Sequence, residues 1–105
     1  HDRMIALTSQ LAHVVSNAYV TSPLASGCRG FTGGSFQDMT RVAPVDEQVW
    51  AELFCLNSAP LSEEIGRLIC RLEQFRTAVD RSDEKELCAL MREGKSRYRE
   101  FFSGN

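Results

Sequence analysis

The chain has 105 residues, of which 43% are hydrophobic and 25% charged, and its formal net charge is −2. These are ordinary globular values and predict a single domain, residues 1–105, with a hydrophobic core of its own. They argue against a nucleic-acid partner, because phosphate binding needs clustered Lys and Arg, and here twelve basic residues are scattered among fourteen acidic ones. No apolar run approaches the roughly 20 residues of a membrane span, so no membrane partner is expected.

Four cysteines, Cys28, Cys55, Cys70 and Cys88, lie far apart in the chain and form no C-x-x-C pair. This spacing excludes the usual zinc-finger patterns, and we expect no metal site. Free thiols fit a reducing compartment, which predicts a cytoplasmic protein rather than a secreted disulfide scaffold.

Apolar residues recur at helical spacing in the first part of the chain and predict a helix from Asp2 to about Val20. Ser9 and His13 are four residues apart and therefore share one face of it, although a lone His on a helix is often only a surface residue. Gly, Ser and Pro dominate residues 21–34, which predicts a loop. A short helix is expected over residues 36–42, before Pro44.

The second part of the chain predicts three further helices. One runs from about Asp46 to Leu56, and the next begins at Ser58-Ala59-Pro60 with Ser58 as its cap. Residues 61, 65, 68, 72, 75 and 79 of that helix form a heptad seam, which predicts packing against another long helix. The last helix begins near Ser82 and ends near Ser103-Gly104. No segment alternates with period two, so we predict an all-α fold of about five helices, with long amphipathic helices near the C-terminus.

The apolar stripes on the long helices exceed what a small monomeric bundle needs. A homodimer would bury the excess, since closed two-fold pairing is the commonest assembly.

The stretch from Gly33 to Pro44 is the strongest candidate for a ligand site. Its two glycines allow unusual backbone conformations and close approach of a ligand or another chain. Asp38 and Arg41 share a helix face, and a carboxylate beside a guanidinium can hold it to clamp a ligand carboxylate. The structural alternative is a surface ion pair worth less than about 1 kcal/mol.

An ordered set of motifs gives the chain a family resemblance. His1-Asp2, the run Ser9-Gln10-Leu11-Ala12-His13, residues 33–43, and Trp50 followed by Asn57 together resemble the C-terminal helical domain of prephenate dehydrogenase, over essentially the whole chain. The resemblance implies oxidative decarboxylation of prephenate to 4-hydroxyphenylpyruvate in tyrosine biosynthesis. It also implies an N-terminal Rossmann domain that binds NAD or NADP and carries the catalytic histidine.

Nothing in this chain matches the Rossmann fingerprint, and the chain does not begin with Met. We therefore expect a part of a longer dehydrogenase that contains no cofactor-binding or catalytic residue, is inactive alone, and forms the dimer.

Several site residues follow from the resemblance alone. It implies that Arg41 binds a substrate carboxylate, that Asp38 orients Arg41, and that His13 lies near the polar groups of the substrate. It further implies that Trp50, otherwise readily explained as a core anchor, borders the pocket. The backbone at Gly34 is expected to reach the site of the partner subunit.

Ser9 and Gln10 are further substrate-binding candidates, but the sequence departs from the family pattern here. Gln10 stands where many members have His, so it hydrogen-bonds without titrating near neutral pH. Ala12 replaces a Pro. Two alternatives stay open: the corresponding domain of an arogenate dehydrogenase, and a purely structural dimerisation module.

Overall fold

The computed structural model describes residues 1–27, 30 and 33–103. No strand occurs among these residues, and the predicted all-α fold is confirmed. The helices are α1 (Asp2–Ile5), α2 (Leu11–Val20), α3 (Gly34–Thr40), α4 (Glu47–Leu56), α5 (Ser58–Asp80) and α6 (Glu84–Ser103). Cys28, in the predicted loop, and Gly104, at the predicted end of the last helix, lie outside the described residues.

The first predicted helix is present but is not uniform. A π-helical segment, Ala6–Gln10, joins α1 directly to α2, so residues 2–20 form one helical stretch. A π turn holds more residues than an α turn and changes which side chains share a face. This segment buries Ala6 and Gln10.

Helix α3 begins and ends two residues earlier than the sequence predicted. Gly33 is extended (φ −86°, ψ 173°), and its carbonyl accepts the first helical bond, from the Gln37 N–H at 3.3 Å. The helix ends at Thr40, whose hydroxyl donates back to the Phe36 carbonyl at 2.8 Å. Arg41 follows with helical dihedral angles and so still shares a face with Asp38.

The junctions of α4 and α5 are set by capping residues. Asp46 caps α4, because its carboxylate accepts the N–H groups of Gln48 and Val49 at 3.0 and 3.1 Å. The cap of α5 was predicted wrongly: Ser58 is its first helical residue, and the Asn57 carbonyl accepts the first bond, from Leu61.

The turn between α5 and α6 is a Schellman motif. The Asp83 N–H bonds the Ala78 carbonyl at 2.8 Å, and the Ser82 N–H bonds the Val79 carbonyl at 3.0 Å. Ser82 therefore ends α5 in a left-handed conformation (φ 51°) rather than opening α6, as the sequence predicted. Asp83 caps α6 by accepting the Glu86 N–H at 3.0 Å.

The chain divides into two compact units, His1–Gly66 and Arg67–Asn105. In the first unit, α2 packs against α3, with the Tyr19 and Phe36 rings 5.6 Å apart. Arg3 of α1 also lies 3.9 Å from Glu63 of α5.

The second unit holds the C-terminal half of α5 and α6, which form a helical hairpin. An ion pair at 3.3 Å joins Arg71 to Glu93, and Ala78 and Leu90 are buried. The two ion-paired residues lie equally far from the turn, as antiparallel neighbours do.

The heptad seam of α5 is only partly buried within this chain. Leu61 is buried and Leu68 partly so, whereas Leu72 and Val79 are 55% and 60% exposed. Across the described residues, the buried hydrophobic side chains are few: Ala6, Leu61, Ala78 and Leu90.

The cysteines and helices in the described part of the chain can be set against the expectations of free thiols and of no membrane span. Cys55, Cys70 and Cys88 carry free, exposed thiols. Among the described residues, no helix has the length and apolar content needed to cross a membrane.

Candidate functional site

The centre of the candidate site is a stack of two rings from different helices. The imidazole of His13, on α2, lies on the indole of Trp50, on α4, with centroids 4.1 Å apart and planes inclined by 24°. Phe54, one turn further along α4, meets Trp50 edge-on at 5.9 Å. Such contacts stabilise by about 0.5–1.5 kcal/mol beyond area burial, so they favour this arrangement of the rings.

The backbone of Ser9 sets the hydrogen-bonding state of His13. Nδ1 of His13 lies 2.9 Å from the Ser9 carbonyl oxygen. A carbonyl only accepts, so Nδ1 carries the proton and Nε2 of the neutral ring is an acceptor. Ser9, a candidate from the sequence, thus contributes its main chain.

Gln10 is placed differently from a ligand-contacting residue. Its side chain is 5% exposed, and both ends of its amide are hydrogen-bonded within the chain. Nε2 donates to the Leu53 carbonyl at 3.3 Å, and Oε1 accepts from Asn57 at 2.8 Å.

Asn17 connects the His13 helix to the segment that follows α3. Its Nδ2 donates to the carbonyl of His13 at 3.3 Å and to that of Ala43 at 3.2 Å. Because one amide group makes both bonds, Ala43, which lies two residues beyond Arg41, is held beside the turn of α2 that carries His13.

Asp38 and Arg41 form the expected pair, and it is exposed. Nη1 of Arg41 donates to Oδ1 of Asp38 at 3.3 Å, and the two side chains are 73% and 74% exposed. A single contact this accessible contributes less than about 1 kcal/mol to stability. It leaves the other guanidinium donors facing solvent, where a ligand carboxylate can reach them.

Of the two reasons that the sequence suggested for the glycines at the start of α3, unusual backbone conformation does not apply and close approach of a ligand or another chain remains. Gly33 has a backbone conformation open to any residue, and Gly34 is helical, so conformational freedom is not the reason for either. A Cβ built on Gly33 or Gly34 would meet nothing within 4 Å. Within this chain both glycines therefore present bare backbone to open space.

A pocket of about 350 Å³ lies beside Trp50. It is lined by Asn17, Ala43, Pro44, Val45, Glu47, Trp50, Ala51 and Phe54. None of these residues is basic, and Glu47 contributes a carboxylate, so the pocket suits an apolar group rather than an anion. A ligand carboxylate is better matched to Arg41, which is not part of this lining.

The structure thus brings together His13, Trp50, Ser9 and Gln10 at one place, and Asp38 with Arg41 at another. Sequence reasoning missed Asn17 as the residue that joins these two regions. Its position four residues after His13 is the only signal that could have suggested it.

Comparison with known proteins identifies the chain's family. The family model described as prephenate dehydrogenase, dimerization domain, matches residues 1–93. The chain belongs to this family.

Two individual relatives of this prephenate dehydrogenase domain have names that agree with the family match. The chain is 31% identical over 103 residues to a cyclohexadienyl dehydrogenase of Zymomonas mobilis, covering 90% of this chain and 34% of the relative. It is 24% identical over 100 residues to a prephenate dehydrogenase of Bacillus subtilis, covering 90% of this chain and 27% of the relative. The chain therefore spans between about a quarter and a third of the length of these relatives.

A solved structure shares the fold of this prephenate dehydrogenase domain. The crystal structure of arogenate dehydrogenase from Synechocystis superimposes with a TM-score of 0.84 at 18% identity. The match covers 96% of this chain and 39% of that one.

Proposed function

We propose that this chain is the part of a prephenate dehydrogenase that forms the homodimer and supplies substrate contacts, in an enzyme of tyrosine biosynthesis that acts in the cytoplasm. Arg41 binds a carboxylate of prephenate, and Asp38 orients Arg41. The His13–Trp50 stack borders the substrate, with Nε2 of His13 available to its polar groups. The bare backbone at Gly34 approaches the site of the partner subunit.

The observation that carries this proposal is the accessibility of Arg41. Its guanidinium has one carboxylate contact and is 73% exposed, on a segment tied by Asn17 to the helix of His13. Charge-assisted hydrogen bonds to a carboxylate contribute about 1.5–3 kcal/mol each, enough to hold the substrate.

The cofactor belongs to a different part of the enzyme. NAD or NADP binding by a Rossmann unit needs a βαβ arrangement, and the described residues contain no strand. The described residues therefore contain no Rossmann unit, and the role that we propose for this chain is substrate binding and assembly. The N-terminal Rossmann domain would supply hydride transfer.

The proposal is tested by Arg41→Ala in the full-length enzyme. We expect KM for prephenate to rise about tenfold to a hundredfold for each bond lost, with cofactor KM and dimer mass unchanged. Arg41→Lys keeps the charge but not the two-pronged geometry and should fall in between.

Arg97→Ala is the matched control, because Arg97 also forms an exposed ion pair with a carboxylate on its own helix, Glu93 at 3.5 Å. We expect it to leave KM unchanged. If Arg41→Ala also leaves substrate kinetics unchanged, Arg41 is not part of the substrate site, and the structural dimerisation module becomes the favoured alternative.

Arogenate is the alternative substrate, and it differs from prephenate by an amino group. Comparing kcat/KM for the two compounds in the wild-type enzyme decides between them. A higher value for arogenate would replace prephenate in the proposal and leave the role of Arg41 intact.

A further inference from the structure

The amides of Gln10, which is buried, and Asn57, which is half-buried, are hydrogen-bonded to each other close to the ring stack. We infer that Gln10 and Asn57 are positioning residues of the candidate site, which hold Trp50 against His13 without touching substrate. The inference deepens the proposed function and rests on it for its catalytic consequence, but its structural part can be tested separately.

The first step is the bond from Gln10 to the end of α4. The last carbonyls of a helix have no partner within the helix. The usual donor for the Leu53 carbonyl would be the Asn57 N–H, but that group bonds the Phe54 carbonyl at 3.2 Å instead. Nε2 of Gln10 takes its place at 3.3 Å, so a side chain from the first helical stretch completes α4.

The second step is the orientation of the Gln10 amide. Nδ2 of Asn57 donates to Oε1 of Gln10 at 2.8 Å and to the Asp2 carbonyl at 3.0 Å. Because Oε1 is held by this donor, the NH₂ end of Gln10 must face Leu53. Asn57 thus selects one of the two amide orientations of Gln10 and ties the α4–α5 junction to the start of the chain.

The third step is the position of this bond relative to the ring stack. Gln10 lies three residues before His13, and Leu53 lies three residues after Trp50, so the same two helices meet at both places. At 5% exposure Gln10 is shielded from solvent, which makes its bonds costly to break. The amide contact therefore fixes the separation of the helices at the point where the rings stack.

The test uses the full-length enzyme and the emission of Trp50. Subtracting the signal of a matched Trp50→Phe protein isolates this emission from that of any other tryptophan. Acrylamide, a neutral quencher, reports how far the indole is covered. His13→Ala, which removes the stacking ring, sets the value for an uncovered Trp50.

We expect Gln10→Met, which keeps the volume but loses both bonds, to raise quenching of Trp50 toward the His13→Ala value. Gln48→Met, on the exposed side of α4, is the matched control and should match the wild type. With the rings misplaced, kcat/KM for the substrate should fall on the order of tenfold, mainly through KM.

Gln10→Glu provides a second variant should Gln10→Met fail to fold. Its carboxylate accepts from Asn57 but cannot donate to Leu53, so quenching should again rise. Burial favours the neutral carboxylic acid, whose O–H can donate. Lowering the pH should therefore return the quenching of Gln10→Glu toward that of the wild type at the same pH.

Unchanged Trp50 quenching in a folded Gln10 variant would overturn the inference, whatever the kinetics. Increased quenching with unchanged kinetics would support the positioning contact and would instead remove His13 and Trp50 from the proposed substrate site.

Discussion

At the scale of single residues, the Asp38–Arg41 pair separates stability from function. Both side chains are about three-quarters exposed, so solvent screens the pair and its loss changes the free energy of unfolding little. In the proposed function, Asp38 instead directs the guanidinium of Arg41 toward the substrate carboxylate. A residue of this kind affects ligand binding more than folding.

Asp38→Asn tests this separation in the full-length enzyme. We expect KM for the substrate to rise severalfold, because Arg41 loses its orienting charge, while the free energy of unfolding changes by less than about 1 kcal/mol. Steady-state kinetics and urea unfolding measure the two effects. Glu73→Gln, which breaks the corresponding pair with Arg76, serves as the control. A larger loss of stability than of substrate affinity would make the pair structural.

The contacts made by the residues of the candidate site were only partly predictable from the sequence. The spacing of Asp38 and Arg41 was enough to predict their pairing, because both lie within one helical turn. The stack of His13 on Trp50 was not predictable from spacing, because the two residues are 37 positions apart in the chain and meet only through packing. Gln10 was a ligand candidate in the sequence, and its burial became evident only with α4 in place.

At the scale of elements, the turn between α5 and α6 carries a local cost. Ser82 occupies the left-handed position of the Schellman motif, where a Cβ is unfavourable and glycine is the usual residue. The hydrogen bonds of the motif hold the residue there despite this cost.

We therefore expect Ser82→Gly to stabilise the protein by about 0.5–1 kcal/mol, less than the full left-handed cost because glycine also loosens the unfolded chain. Thermal unfolding measures the change. The same substitution at Ser62, an exposed position inside α5, should destabilise by a similar amount. If both substitutions lower the unfolding temperature, Ser82 is not strained.

Helices were predicted more successfully than their boundaries. The apolar periodicity of α2, α4, α5 and α6 identified each of them, since burial of one face determines both the pattern and the helix. The ends of a helix depend on single hydrogen bonds. The Asn57 carbonyl accepts the first bond of α5, and the Asp83 carboxylate caps α6. Other polar residues near each of these helix ends could form the same kind of bond, so the sequence alone could not show which residue is the cap.

At the scale of the whole molecule, the dominant feature is apolar surface left uncovered by this chain. Leu72 and Val79, seven residues apart on α5, are 55% and 60% exposed, and Ile69 and Met91 are similarly accessible. Large exposed apolar areas mark interfaces. The proposed homodimer would cover them.

Leu72→Asp tests this interpretation. Because Leu72 is already half exposed in the single chain, we expect the helical content to be retained, while a charge placed at the interface shifts the dimer to monomer. Light scattering at several concentrations measures the mass, and circular dichroism measures the helicity. Thr77→Asp, on another exposed part of α5, should leave the mass unchanged. A Leu72→Asp protein of wild-type mass would place the interface elsewhere.

The π-helical segment has a consequence for how relatives of this chain are compared. Asp2 must present its carbonyl to Asn57 while His13 presents its ring to Trp50, and residues 6–10 set the angle between these two directions. Removing one residue there would restore an ordinary helix and turn the first residues by about 100° relative to His13. The number of residues between Asp2 and the Ser9–His13 run therefore cannot change without turning the Asp2 carbonyl away from Asn57. A gap in an alignment at this point marks a change in three-dimensional register.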